Sequence, residues 1–223
     1  SSLTRLVAPI RTQEPSTAVV FEVVVQPLAN DPLLKRRLVD RESGLSPTAK
    51  VPLLIWDDVT VWESLAITEW IADWAPVGAV WPEDAGKRAI ARAVTSEMHA
   101  GFPALRKACP MDIRSRSETP DMTEALEADI ARIQTMWDEM RAQHGAGGDF
   151  LFGKWSAADA FYAPVVTRFR TYGLPLTGAA AEYSAAVLED PLFLELEKQA
   201  EAEPWWIKYT RDGRSSGYLK PEG

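Results

Sequence analysis

Apolar and polar positions change their rhythm about a third of the way along the chain. Val19, Val20, Phe21, Glu22, Val23, Val24 and Val25 form a β-branched run closed by Pro27, the pattern of a largely buried strand. After Pro32 the stretch from Asn30 to Arg41 reads as helix. Pro52 to Trp56 and Val59 to Trp62 are two short apolar runs split by Asp57 and Asp58, which predicts a hairpin with a two-residue turn. The turn lacks glycine, but aspartate tolerates left-handed backbone better than most residues. Ser64 is placed to cap the helix that follows. There Ile67, Trp70, Ile71 and Trp74 recur at i, i+3, i+4 and i+7 before Pro76 ends it.

From Trp81 onward the period is helical throughout. Ile90, Val94, Glu97 or Met98, Phe102 and Leu105 mark one long helix, weakened or kinked near Gly101 and Pro103. Leu126, Ile130, Ile133, Trp137 and Met140 mark a second, ending near Gly145. A third starts at Ser156 and runs past Tyr172, and shorter helices cover Gly178 to Leu188 and Pro191 to Glu203. The Pro- and Gly-containing segment from Pro76 to Asp84 is the best linker. The expected organisation is a small α/β domain over residues 1–78 and an all-α helical domain over 79–223.

Composition narrows the function. The 223 residues carry 24 Lys and Arg against 32 Asp and Glu, a formal charge of −8, which argues against nucleic acid or an anionic membrane as the main partner. No run approaches the length of a membrane span, and no basic flank leads into an apolar signal region, so a cytoplasmic location is expected. One cysteine, Cys109, excludes a disulfide framework and a cysteine-built metal site. With only two histidines, His99 and His144, no metal is expected. The tryptophans at 56, 62, 70, 74 and 81 gather around the domain boundary, where core packing explains them best.

Four constellations carry chemistry. Lys50, Val51 and Pro52 sit where a loop enters a short strand. A proline there fixes φ, and when cis it turns the preceding residue's backbone toward a peptide-like ligand; otherwise it is an ordinary edge-strand proline. Glu63 and Ser64 stand between the hairpin and a helix N-terminus. Free amides, a hydroxyl and a carboxylate together can grip both charges of an α-amino acid head group, or act simply as a cap and a solvated charge. Ser156 and Asp159, in S-x-x-D spacing, form a capping box that satisfies the first-turn donors of an apolar helix. His99, Phe102 and Arg106 share the helix after the linker and are candidate pocket linings, although a lone histidine is more often a packing or surface residue.

The order of these constellations resembles the cytosolic glutathione S-transferases: Ser46 to Pro52, a hairpin, Glu63 and Ser64 opening a helix, a linker, then Ser156 and Asp159 in an all-helical half. The similarity runs from about residue 18 to 206. It is nearest to bacterial serine-type, zeta-like members, whose helical domain carries runs similar to Ser96 to His99 and Ala163 to Phe169. The resemblance implies a thioredoxin-like α/β N-terminal domain and an all-α substrate-binding domain. It implies glutathione as co-substrate, with Lys50, Val51 and Pro52 on its cysteinyl part and Glu63 and Ser64 on its γ-glutamyl end. His99, Phe102 and Arg106 would then face a small hydrophobic electrophile. A homodimer is implied as well.

The thiol of glutathione, with a pKa of about 8.5, needs a hydroxyl donor to ionise at neutral pH. The family places that serine at the end of the first strand. One alignment puts Ser1 and Ser2 there; another makes Leu3 to Ala8 the first strand and leaves the serine absent. A non-catalytic protein of the same fold, binding glutathione without activating it, is the alternative.

Overall fold

The structure is a computed structural model that describes residues 48, 50–203, 206–209 and 215–219. Ser1, Ser2, the alternative first strand from Leu3 to Ala8, the strand expected at 19–25 and the helix expected at 30–41 lie outside these residues. The chain divides into two compact units, Ser1–Val80 and Trp81–Gly223.

In the first unit β1 (Leu53–Trp56) and β2 (Val59–Trp62) pair antiparallel, Leu53 opposite Trp62 and Trp56 opposite Val59. Asp57 takes φ 51° in the two-residue turn, a conformation its short polar side chain tolerates. Helix α1 (Ser64–Trp74) follows directly and buries Ile67, Thr68 and Ile71. Trp56, Trp70 and Trp74 form a ring cluster, with centroids 5.4 to 6.5 Å apart.

The second unit is built from α2 (Ala85–Ala100), α3 (Pro103–Ala108), α4 (Glu124–His144), α5 (Ala157–Tyr172), α6 (Gly178–Glu189) and α7 (Pro191–Glu201). Asp84 caps α2, Thr123 caps α4 and Asp190 caps α7, each accepting a first-turn amide. Helix α5 is buried on nearly every side, from Ala158 to Thr171, which marks it as the central helix of this unit. It ends at Gly173, whose φ of 60° lets Leu174 N–H return to the Phe169 carbonyl at 3.0 Å. Trp137 of α4 is the aromatic hub, packed against Tyr162, Phe169 and Tyr183. Arg168, next to Phe169 in the chain, is buried but satisfied, Nε donating to the Cys109 carbonyl and Nη1 to the Pro164 carbonyl, both at 2.9 Å.

Two expectations are corrected. The long helix from Ile90 to Leu105 is two helices, cut where Gly101 is extended and Phe102 turns left-handed at φ 59°. The second unit, expected to be all-α, also holds a hairpin beyond the last expected helix, β3 (Trp206–Tyr209) with β4 (Ser215–Leu219).

Candidate functional site

The hairpin register assembles the first group of candidates. Since Leu53 pairs with Trp62 and the strands run antiparallel, Val51 and Pro52 continue β1 at the end where Glu63 and Ser64 continue β2. Two segments with ten residues between them in sequence therefore meet at the open end of the hairpin. The Val51–Pro52 peptide bond is cis. Val51 and Pro52 are half-buried, and Lys50 is exposed.

Glu63 takes φ 72° and ψ 127°, outside the helical region, and it holds the cap position of α1. Ser64, expected as the cap, is the first helical residue instead; its half-buried side chain lies at the first turn. The Glu63 carbonyl accepts the Ile67 amide at 3.0 Å, and the Ser64 carbonyl accepts the Thr68 hydroxyl at 2.9 Å. The corner thus combines an exposed carboxylate, a hydroxyl and the positive end of a helix.

The second group lies at the end of α2. His99 is exposed on the last turn, its ring centroid 6.3 Å from that of Phe161 with the planes at 66°. Phe102 is buried at the junction to α3. Arg106 turns back on the helix end: Nε donates to the Gly101 carbonyl at 2.9 Å, and Nη2 donates to the Met98 carbonyl at 2.6 Å and the His99 carbonyl at 3.4 Å. Two residues that the sequence did not single out act on the same stretch. Tyr162 of α5 donates its hydroxyl to the Val94 carbonyl at 3.0 Å, and Arg132 of α4 holds Glu97 by a two-pronged pair at 2.7 and 2.8 Å. These bonds span 68 and 35 residues, so no local pattern announces them.

Ser156 and Asp159 form the capping box of α5. The Asp159 carboxylate accepts the Ser156 amide at 2.8 Å, the Ser156 hydroxyl at 2.9 Å and the Leu151 amide at 3.1 Å. It is fully buried, and that burial, opposed by these donors, pushes its pKa up to about 6. The nearby Tyr183 hydroxyl feels the carboxylate's charge without making a hydrogen bond of good geometry. Burial also pushes the Cys109 thiol up to about 11, in part offset by Arg168. Among the described residues no group of three or more His, Cys, Asp or Glu could hold a metal ion.

The family model for the glutathione S-transferase C-terminal domain matches residues 123–207. The maleylacetoacetate isomerase of Rattus norvegicus is 24% identical over 134 residues, covering 60% of each chain. A probable maleylacetoacetate isomerase of Caenorhabditis elegans is 30% identical over 148 residues, 65% of this chain and 67% of that protein. The chain therefore spans about 60 to 67% of these two relatives' lengths. Among solved structures, a glutathione transferase homologue from Burkholderia with bound glutathione superposes with a TM-score of 0.53 at 23% identity, covering 76% of this chain and 91% of that one. The zeta-class maleyl pyruvate isomerase, a bacterial glutathione S-transferase, gives 0.50 at 24% identity, covering 74% and 80%. The fold is accordingly that of the glutathione transferases, a thioredoxin-like domain followed by a helical one. The chain belongs to the glutathione S-transferase family. Within it, it is a zeta-like member.

Proposed function

We propose that this chain is a glutathione-dependent enzyme that directs the thiolate of glutathione at a small hydrophobic electrophile. The observation that carries the reading is the hairpin register, which sets Val51 and Pro52 beside Glu63 and Ser64 at one corner. The Val51 backbone pairs with the cysteinyl part of the tripeptide, with Lys50 and Pro52 beside it. The Glu63 carboxylate takes the γ-glutamyl ammonium, and the Ser64 hydroxyl and first-turn amides take its carboxylate. The sulfur attacks the electrophile and forms a carbon–sulfur bond as a leaving group departs. In the isomerising variant, suggested by the names of the curated relatives, the sulfur adds across a double bond, the new single bond rotates, and the thiolate is expelled unchanged. Ser1 or Ser2 supplies the hydroxyl that stabilises the thiolate.

In this reading residues 1–78 are the glutathione-binding domain, and residues 79–223 bind the electrophile at the end of α2 that carries His99, Phe102 and Arg106. The protein acts as a cytoplasmic homodimer. The exposed Ile55, Trp56, Val59, Trp62 and Trp74 of the first unit support a protein interface. A monomer in sedimentation equilibrium would remove the dimer, and fractionation of the source cells checks the location.

The central test is calorimetric titration of the full chain with glutathione. Saturable binding is expected, weakened roughly tenfold or more by Glu63→Ala and again by Ser64→Ala, the range for charge-assisted hydrogen bonds. Absence of glutathione binding by the unmodified chain overturns the proposal.

A further inference from the structure

The last two turns of α2 are held from three sides. From α5, the buried Tyr162 hydroxyl donates to the Val94 carbonyl at 3.0 Å. From α4, Arg132 grips the Glu97 carboxylate through two nitrogens at 2.7 and 2.8 Å. From α3, Arg106 reaches back over the helix end to the Met98, His99 and Gly101 carbonyls. The last carbonyls of a helix have no partner within it, and they carry the negative end of its dipole. A guanidinium that spans three of them satisfies both needs at once.

The backbone beyond leaves little room to relax. A Cβ on Gly101 would stand 2.5 Å from the Glu97 carbonyl oxygen, so the chain passes very close to the preceding turn. Phe102, buried, then takes φ 59°, a conformation a bulky residue adopts only when its surroundings impose it. Leu105 N–H is fixed in turn by Asp129 Oδ2 of α4 at 3.0 Å. Arg106 thus sits on a short helix anchored at both its start and its neighbour, with its side chain committed to the turn that bears His99.

We propose that Arg106 is a positioning residue: it locks the C-terminal turn of α2, and so sets where His99 stands against the electrophile, instead of binding the substrate itself. The proposal rests on the functional reading above for the role of His99, but its first test does not. The chain has two histidines, so its imidazole proton spectrum holds two side chains, and His144 serves as an internal reference. Arg106→Gln is expected to shift and broaden the His99 Cε1–H resonance while that of His144 stays in place. Arg106→Lys, which can reach one carbonyl at a time, gives a smaller shift and guards against a misfolded Gln variant. An unmoved His99 resonance in both variants overturns the proposal.

The second test is kinetic, with 1-chloro-2,4-dinitrobenzene as a neutral electrophile and 4-chloro-3-nitrobenzoate as an anionic one. Glutathione sulfur displaces chloride in both. Arg106→Gln is expected to raise KM for the two in parallel, five- to twentyfold, with the KM for glutathione changed less than twofold. A rise confined to the benzoate identifies Arg106 as a direct ligand of the substrate's charge and overturns the positioning role. An unmodified chain that turns over neither electrophile counts against the transferase reading, and the resonance shift still decides whether Arg106 holds the turn.

Discussion

Asp159 makes a prediction in which the sign is as informative as the size. Its carboxyl titrates near pH 6 in the folded protein, against an ordinary value of 3.8, because burial outweighs the three donors that face it. Between those two values the folded chain holds a proton that the unfolded chain has released. Stability from this group is therefore fully present below about pH 3.8 and is lost as pH rises through about 6. The whole span is worth about 3 kcal/mol at about 1.4 kcal/mol per pKa unit, and about 1.4 kcal/mol of it falls between pH 5 and pH 7.5. The protonated form is sterically reasonable: Oδ2–H donates to the Ser156 hydroxyl, which only has to turn its own proton away.

Asp159→Asn removes the titration and adds a constant cost, since its amide nitrogen faces the Ser156 amide where an acceptor stood. Every other titrating group is common to both proteins. Urea unfolding followed by tryptophan fluorescence should find the native chain more stable than the variant at pH 5, with the gap closing by about 1.4 kcal/mol at pH 7.5. A gap that is flat or widens with pH would refute the reasoning, for it would mean that the donors keep the carboxylate ionised throughout.

Two further outcomes follow from close packing. Gly101→Ala forces a Cβ to within 2.5 Å of the Glu97 carbonyl oxygen, which already accepts the Gly101 amide at 2.8 Å, and should cost about 1 to 3 kcal/mol in urea unfolding. Gly86→Ala in the first turn of the same helix meets only the Asp84 side chain, at 3.2 Å, and should stay within about 1 kcal/mol of the native chain; equal losses at both positions would contradict the steric account. Cys109, buried and with its thiol pushed up to about 11, should resist 5,5′-dithiobis(2-nitrobenzoate) at pH 8 in the folded state and react once the chain is unfolded; prompt labelling of native protein would show that the site opens.

What could be read in advance divides by the distance over which the causes act. The hairpin, its two-residue turn and the capping box at Ser156 were legible because each is decided within a few residues: an alternating run, an aspartate pair, an S-x-x-D spacing. The corner shared by Val51, Pro52, Glu63 and Ser64 was nearly legible for the same reason, since a tight hairpin brings its two flanks together. Even there the helix start was off by one, because Glu63 leaves the helical region at φ 72° and takes the cap position itself.

The break in the helix between Ala100 and Pro103 was read only as a kink. Gly101 and Pro103 weaken a helix, but nothing local makes a phenylalanine adopt φ 59°. Phe102 is buried there, and the helix end before it is bonded by Arg106, Arg132 and Tyr162, all of them outside its local pattern. The C-terminal hairpin was missed because its strands are four and five residues long and helical periodicity dominates the hundred residues before them. The pattern has a functional reading. The residues proposed to touch a ligand stand in short segments whose local grammar is visible, whereas the side chains that hold the end of α2 come from Arg106, across a helix break, and from partners 35 and 68 positions away. Substituting the first class should alter what binds, and substituting the second should alter how precisely it is held, which is the separation that the Arg106 variants measure.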